Sequence, residues 1–195
     1  MKQRRATYKY QSQQGLSVRV YRLQPDDTQY LVDLFGHMSP ESRYLRFNEY
    51  LDHPDSDFVR SRAQQMADVR PKRGAAWLAF ADLPGQPHAP VAGARYIVTS
   101  EPGVAEVSIA VRDDMQHQGI GSGLLIFLAR QAKRHDIHKL VASFHTANRG
   151  VWNVLAHAPF HVTTDVHGAE TDVVIDLDAP RATEQPFEPV PAQAG

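Results

Sequence analysis

The chain contains no cysteine in its 195 residues. Disulfide bonds, cysteine-ligated zinc and thiol nucleophiles are therefore excluded. Long apolar runs are also missing, because no stretch approaches the roughly 18 consecutive apolar residues of a membrane-spanning helix. The first residues carry charge but lack the apolar core of a secretion signal. We therefore expect a cytoplasmic protein with no membrane partner.

A strong net charge is missing as well. Lys and Arg total 21 and Asp and Glu total 22, for a formal net charge of −1. Such a chain has no general attraction for nucleic acid or anionic membranes, so no nucleic-acid partner is expected. The N-terminal basic residues Lys2, Arg4, Arg5 and Lys9 are predicted to belong to a solvated tail. With 42% hydrophobic and 22% charged residues at this length, the sequence predicts one globular domain.

Polar segments flank the predicted domain. Residues 1–14 are mostly polar and residues 180–195 are rich in proline, so we expect a flexible arm and a flexible tail around a domain of residues 15–179. The sequence predicts strands over 17–23, 75–82, 90–99, 104–112, 138–145, 160–166 and 171–177. Apolar residues at helical spacing, with caps, predict helices over 26–37, just after Pro40, and over 56–69, 121–135 and 147–157.

The order of these elements predicts the fold class. Strands that follow one another closely come first, with a proline- and glycine-containing loop over 83–88, and a β-α-β crossover comes later. This order is typical of an α/β fold with a mixed sheet and helices on both faces.

One segment carries most of the functional signal. The alternating residues 104–112 lead into a glycine-rich stretch, and a helix follows without a break. Glycines allow a tight turn that exposes successive N–H groups, and the helix N-terminus adds the positive end of its dipole. The expected ligand is a polyphosphate, and the expected binding residues are Gln116, His117, Gln118, Gly119, Ile120, Gly121, Ser122 and Gly123.

The spacing distinguishes between phosphate-binding loops. The Lys and Ser or Thr of a P-loop do not follow, and Leu124 stands where a dinucleotide-binding turn has its third glycine. The remaining pattern, with Gln116, Gly119 and Gly121 in the required places, closely resembles the Q/R-x-x-G-x-G/A signature of the GNAT N-acetyltransferases. A strand-to-helix turn that binds no ligand is the structural alternative.

The resemblance extends over roughly residues 16–178. Ser17–Leu23 resembles the first strand of the family, and Asn148 and Phe160 are spaced as in its "N…GF" segment. Met38–Phe47 resembles the "LSPESRYxRF" stretch of bacterial Pat-type protein lysine acetyltransferases. The resemblance implies the GNAT fold, a mostly antiparallel central sheet with a β-α-β crossover, splayed central strands and helices on both faces.

The resemblance also implies acetyl-CoA as acyl donor. In the family the pantetheine arm lies between the strands before and after the glycine-rich turn, which are 104–112 and 138–145 here. Strand-like hydrogen bonds to pantetheine are then expected from the backbone of Ile109, Ala110 and Val111. Asn148 has two compatible roles, a hydrogen bond to pantetheine and the cap of its own helix.

Catalysis needs a base, because a lysine ε-amine with a pKa of about 10.4 is charged at pH 7. Glu106 matches by position the glutamate that is the general base in Pat-type enzymes. Alternation places Glu106, Ser108 and Ala110 on one face of the strand, and a carboxylate facing a partly apolar cleft is suited to proton transfer. The structural alternative is an exposed glutamate on an edge strand.

Two positions depart from the family pattern. Leu155 stands where many members of the family have a tyrosine that acts as the general acid. Pro159 replaces the glycine before Phe160. Protonation of the leaving thiolate is then left to solvent, to Ser108 or to a histidine such as His157. None of the ten histidines has the spacing of a metal ligand, so no metal site is predicted.

Three functions remain open. A direct N-acetyltransferase with a protein lysine as acceptor is favoured by the Met38–Phe47 resemblance, and a small amine metabolite is the next choice. Leu155 and Pro159 suggest instead a weakly catalytic domain that binds acetyl-CoA as a sensor or scaffold. In the family that the sequence resembles, variable loops select the acceptor, which implies this role for residues 36–56 and 166–170.

Overall fold

The computed structural model describes residues 4–68 and 73–181. Within them, the α-helices are α1 Thr28–Gly36, α2 Pro40–Phe47, α3 Ser56–Ala67, α4 Ile120–Lys133 and α5 Arg149–Ala156. The strands are β1 Tyr8–Gln11, β2 Ser17–Arg22, β3 Gly74–Leu83, β4 Gln86–Val98, β5 Val104–Val111, β6 Lys139–His145, β7 Phe160–His167 and β8 Glu170–Pro180. Short 3-10 turns occupy Pro25–Asp27 and Asp113–Met115.

The strands form one eight-stranded sheet in the order β1-β2-β3-β4-β5-β6-β8-β7. Every neighbouring pair is antiparallel except β5 and β6, which are parallel and are joined through α4. The predicted mixed sheet with a β-α-β crossover is therefore confirmed.

Apolar side chains cover both faces of this sheet. On one face, Phe127 of α4 packs edge-on against Trp77 of β3, with 5.2 Å between ring centroids. On the other face, Leu34 of α1 packs with Leu78 and Phe80 of β3. The side chains of β3 alternate between the two layers because a strand has a period of two. Helices lie on both faces, as predicted, and each buried large side chain stabilises the fold by about 1.5–3 kcal/mol.

The predicted flexible arm over 1–14 is wrong at β1, which pairs antiparallel with β2. The ring of Tyr8 stacks on Phe127, with centroids 5.3 Å apart, and the hydroxyl of Tyr10 donates a hydrogen bond to the carbonyl of Ile120 at 3.0 Å. Both tyrosines point to the α4 side of the sheet, whereas their polar neighbours point away from it. The packing on α4 therefore orders a segment whose composition is typical of a loose end.

The solvated-tail prediction is also wrong at Arg4. Its guanidinium forms two hydrogen bonds, of 2.7 and 2.8 Å, with the buried carboxylate of Asp27, and it also donates to the carbonyl of Arg22. Asp27 in turn accepts a hydrogen bond from the N–H of Gln24 at 2.9 Å. Arg4 is thus attached to the turn that precedes α1.

The predicted loop over 83–88 is shorter than expected. Leu83 and Gln86 pair across β3 and β4, so Pro84 and Gly85 form the connection. Gly85 has a φ of +73°, and a proline followed by a glycine of positive φ is the sequence of a type II turn. The predicted tail falls on 180–195, of which 182–195 lie outside the described residues. Among the helices of the described segments, none is long and apolar enough to cross a membrane.

Candidate functional site

The parallel strands β5 and β6 separate partway along their length. Their pairing begins at Val104 with Lys139 and ends at Glu106 with Val141, whereas β5 continues to Val111. A gap therefore opens in the middle of the sheet, and Glu106 stands where it begins. This is the splay that the sequence resemblance implied.

The glycine-rich turn lies at one end of this gap. Gly119 is the N-cap of α4 and has a φ of +76°, a left-handed conformation that favours glycine. No side chain of the described residues caps this helix. The first N–H groups of α4 can therefore bind an anion, which the helix dipole also favours. This geometry fits the pyrophosphate that the sequence predicts here.

Side chains of the turn hold its shape. The amide nitrogen of Gln116 donates to the carbonyl of Val111 and to Oδ1 of Asp113, both at 3.3 Å. The amide nitrogen of Gln118 donates to the carbonyl of Asp114 at 3.3 Å. The carbonyl of Val111, one of the predicted pantetheine contacts, is therefore already engaged by Gln116.

Three glycines of the turn were predicted from the sequence to serve phosphate binding alone. Packing gives a second reason why two of them are glycine. A Cβ on Gly123 would stand 2.4 Å from the ring of Tyr10. A Cβ on Gly121 would stand 3.1 Å from Cγ2 of Val154 in α5. Real Cβ contacts are rarely that short, so α4 needs small residues where β1 and α5 approach it.

The turn between β1 and β2 also touches the glycine-rich turn. The N–H of Gln13 donates to the carbonyl of Gln118 at 2.9 Å, and a Cβ on Gly119 would lie 2.7 Å from Cγ of Gln13. The exposed side chain of Gln13 therefore lies beside the start of α4, where phosphate is expected. Gln13 is not among the binding residues predicted from the sequence.

Glu106, Ser108 and Ala110 share a face of β5, as predicted, because they oppose Ile97, Arg95 and Gly93 of β4. This is the face covered by α1, since a Cβ on Gly93 would contact Cδ2 of Leu34 at 3.4 Å. Valine side chains on the opposite face of β5 point toward α4. The two faces of the gap therefore meet different helices.

The surroundings of Glu106 and Ser108 differ. Glu106 is exposed to solvent, so the partly apolar environment predicted for its carboxylate is wrong. The hydroxyl oxygen of Ser108 is buried and has no hydrogen-bond partner in the part of the chain that the structure describes. A buried hydroxyl without a partner is unfavourable, and a bound ligand could supply the missing hydrogen bond.

A cavity of about 210 Å³ lies on the α1 face of the gap. Its walls are mostly apolar and include Leu34, Phe58 and Met66, with Ala110 on the side of β5. Arg46 and Arg95 also line it. Burial, and then the charge of Arg95, lowers the pKa of Arg46 to about 10, while the carboxylate of Glu106 acts in the opposite direction.

Met38–Phe47, the segment that resembles Pat-type enzymes, forms α2 beside this cavity. The helix begins at a cap in which the hydroxyl of Ser39 accepts a hydrogen bond from the N–H of Ser42 at 3.1 Å. The N–H of Ser39 donates to Oδ2 of Asp113 at 3.0 Å, which attaches the helix to the turn after β5. Arg43 donates to the carbonyl of Leu51 at 3.0 Å and fixes the other end.

The same helix reaches the far side of the gap. The ring of Tyr44 lies 5.9 Å from the ring of His145, the last residue of β6, and stacks on Tyr50 at 4.6 Å between centroids. The helix α2 therefore contacts β6, and through Arg46 it lines the cavity that Ala110 of β5 also lines.

The helix α5 shows one of the two roles predicted for Asn148. Its Oδ1 accepts a hydrogen bond from the N–H of Val151 at 3.1 Å, so Asn148 caps the helix. Leu155 is buried in the core, and the exposed His157 is fixed by a 2.8 Å contact between its Nδ1 and the carbonyl of Asn153. Over 4–68 and 73–181, no three His, Asp or Glu side chains are grouped as metal ligands.

Three residues of the site escaped the sequence analysis, namely Gln13, Arg46 and Arg95. The alternation at Tyr8 and Tyr10 was the available signal for the strand that positions Gln13. Arg46 lies within the Pat-like segment, and its repeat of apolar and charged residues gave no sign of which side chains face inward. Arg95 had no local signal, because most of the residues that line the cavity with it come from other elements.

The comparisons with known proteins agree with this geometry. The profile of the Acetyltransferase (GNAT) family matches residues 33–158. A search of curated proteins finds no significant match. The structure is similar to the GNAT domain of S. lividans PAT, with a TM-score of 0.72, 22% identity and coverage of 87% of this chain and 96% of that domain.

Two further structures have the same fold at lower similarity. The PaiA N-acetyltransferase of Thermoplasma acidophilum, in complex with coenzyme A, has a TM-score of 0.59 and 16% identity, over 83% of this chain and 99% of that one. An acetyltransferase from Thermus thermophilus has a TM-score of 0.60 and 24% identity, over 80% and 95%. The family profile covers well over half of the chain, and the splayed sheet and glycine-rich turn fit it. The chain belongs to the GNAT family of acetyltransferases.

Proposed function

We propose that the chain transfers an acetyl group from acetyl-CoA directly to a primary amine, and that this amine is a lysine side chain of a protein. The gap between β5 and β6 is the observation that carries the proposal. The uncapped N-terminus of α4 lies on one face of the sheet and the cavity lies on the other. A donor held at α4 and an acceptor in the cavity would meet in this gap. Without cysteine, no thiol can carry the acetyl group between them.

The similar proteins support each part of the proposal. The Thermoplasma acidophilum protein is an N-acetyltransferase seen with coenzyme A, which supports coenzyme A as the carrier of the acetyl group. The similarity to the GNAT domain of S. lividans PAT, together with the Pat-like sequence of α2, supports a protein lysine as the acceptor.

Each residue of the gap has a role in this reaction. Acetyl-CoA supplies the activated acyl group. Glu106 accepts a proton from the acceptor ammonium, either directly or through a water molecule, which its exposure permits. As the N–C bond forms, the C–S bond breaks, the nitrogen releases its second proton to solvent, and the departing thiolate takes up a proton from solvent. We assign to the unpartnered hydroxyl of Ser108 the donation of a hydrogen bond to this thiolate.

Replacement of Glu106 tests the assigned base. Glu106→Gln keeps the shape of the side chain, so acetyl-CoA should raise the melting temperatures of the variant and of the native protein equally. Turnover should fall by about 10²-fold to 10⁴-fold, the usual contribution of one general base. The matched control is Glu101→Gln, which changes an exposed glutamate in the turn before β5 and should leave turnover intact. Near-normal turnover in Glu106→Gln would place the base elsewhere.

The acceptor needs a separate measurement. Folded proteins, polyamines and aminoglycosides are incubated with the enzyme and acetyl-CoA, and the acetylated products are found by mass spectrometry. A protein acetylated on lysine supports the proposal. Acetylation of the small amines alone would contradict the lysine assignment and leave acetyl transfer intact.

A further inference from the structure

Two arginines of the cavity have no anionic partner. Arg46 comes from α2 and Arg95 comes from β4, where it opposes Ser108 on the face that carries Glu106. Nε of Arg46 is buried and unpaired. In the chain as described, neither guanidinium forms a hydrogen bond or an ion pair within 4.0 Å, and Arg46 only lies over the ring of Phe47 at 5.1 Å.

The other charged groups near the cavity do not balance these two. Glu49 also lines it, but its carboxylate is bound by Arg62 at 2.7 and 2.9 Å. Glu106 attracts Arg46 from a longer distance and is exposed to solvent. Beside the Glu49–Arg62 pair, two positively charged residues therefore line the cavity, and the hydrated Glu106 is not part of its lining. Like charges in a half-buried site repel each other, and a bound anion would relieve this repulsion.

We infer that the cavity binds a carboxylate that the acceptor carries close to its reacting amine. This inference rests on the proposed function and names the class of acceptor. A carboxylate can accept hydrogen bonds from two guanidinium groups at once, and such charge-assisted bonds are strong and directional. Because Arg95 lies beside Ser108 and on the face of Glu106, the bound carboxylate would hold the amine at the gap. In a protein acceptor, this chemistry belongs to a lysine next to Asp or Glu.

A matched pair of peptides tests the inference. The two peptides contain one lysine and differ by Glu or Gln beside it. We expect the Glu peptide to bind about 10- to 100-fold more tightly, in line with hydrogen bonds between charged groups, and to show a correspondingly lower KM. Free lysine and lysine amide form a second pair, which shows whether an α-carboxylate is recognised instead. Equal binding within both pairs, or preference for the neutral member, overturns the inference.

Substitutions of the two arginines test whether they bind the carboxylate. Arg95→Gln and Arg46→Gln should each remove most of the preference for the acidic peptide, and the loss should appear as a higher KM for that peptide. Arg134→Gln, which changes an exposed arginine at the end of α4, should keep the preference. If Arg46→Gln lowered kcat equally on both peptides and left the preference between them unchanged, Arg46 would only position Glu106. This result would contradict the inference. If Arg46→Gln does not fold, Arg95→Gln decides the question alone.

A binding measurement distinguishes the carboxylate site from the proposed acetyl transfer. Calorimetry with each peptide measures the preference without any turnover. Preferential binding of the acidic peptide without acetylation would support the carboxylate site and refute the transferase proposal. Acetylation of both peptides with equal affinity would do the reverse.

Discussion

A methyl group added at Gly123 tests how β1 is attached to the fold. In Gly123→Ala, the new Cβ would lie 2.4, 2.8 and 3.0 Å from three ring carbons of Tyr10. Carbon atoms attract each other best at about 3.5–4.0 Å, so the ring would have to move by about 1 Å. Its hydroxyl is held by the carbonyl of Ile120 at 3.0 Å, and its strand is paired with β2. The ring therefore has no easy way to move.

The expected magnitude follows from these contacts. Overpacking of this kind costs about 1–3 kcal/mol, and a strained or lost hydrogen bond adds about 0.5–1.5 kcal/mol. Alanine in place of glycine within a helix returns about 0.5–1 kcal/mol. The net loss is then about 2 kcal/mol, which for a protein of this size lowers the melting temperature by about 4–8 °C.

Thermal melting of four variants decides the matter. Gly36→Ala is the matched control, because no atom lies within 4 Å of a Cβ at this helix position and the variant should be as stable as the native protein or more stable. Removal of the ring in Tyr10→Ala should make a second change at Gly123 harmless, with a coupling of about 1–3 kcal/mol in the double-mutant cycle. Independent, additive effects of the two substitutions would show that Tyr10 does not lie against α4.

Three further predictions concern the phosphate site, the cap of α5 and pH. Ser122→Asp places a carboxylate in the first turn of α4, so it should stabilise the free protein by about 0.3–1 kcal/mol and weaken acetyl-CoA binding. The control Ser122→Ala should change stability and binding little. Unchanged acetyl-CoA binding in the Asp variant would place the phosphates elsewhere. Asn148→Ala should lower stability by about 1 kcal/mol in a melting experiment, and Asn148→Ser should restore it. If the amide also binds pantetheine, both variants should lose acetyl-CoA affinity. His88 stacks on Phe80 at 4.2 Å between centroids, and burial first, then the charge of Arg19, lowers its pKa while Asp82 opposes them. Its folded pKa lies below the unfolded value of about 6.5, so stability should fall as pH drops through that value, and the fall should be smaller in His88→Phe.

The sequence predicted the centre of the fold well, because the signals there are local. Strand alternation over 104–112 and the glycine-rich turn both depend on neighbours in the chain, and both elements were found within a residue or two. The strand β1 was missed for the opposite reason. Of its two inward tyrosines, Tyr8 stacks on α4 and Tyr10 donates a hydrogen bond to it, and these contacts are distant in the sequence. The glutamines around the tyrosines gave the segment the composition of a flexible terminus.

Only part of the site was predicted, because several of its features also depend on residues that are distant in the sequence. A glycine required by φ, such as Gly119, and a glycine required by a neighbouring ring, such as Gly123, look alike in a sequence. The exposure of Glu106 depends on how far β6 diverges, which no pattern in β5 encodes. Arg46 and Arg95 meet only because α2 folds over the sheet, so their joint charge appears once the fold is known.

Direct transfer of acetyl across the gap between β5 and β6 is the central claim, and mass spectrometry of one reaction mixture tests it. The protein, an amine acceptor that it acetylates and acetyl-CoA with an isotopically labelled acetyl group are mixed for a single turnover. The account predicts labelled acetyl on the amine in equal amount to free coenzyme A, with the mass of the protein unchanged throughout. A labelled acetyl group attached to the protein before the amine is acetylated, or free coenzyme A without acetylated amine, would contradict it.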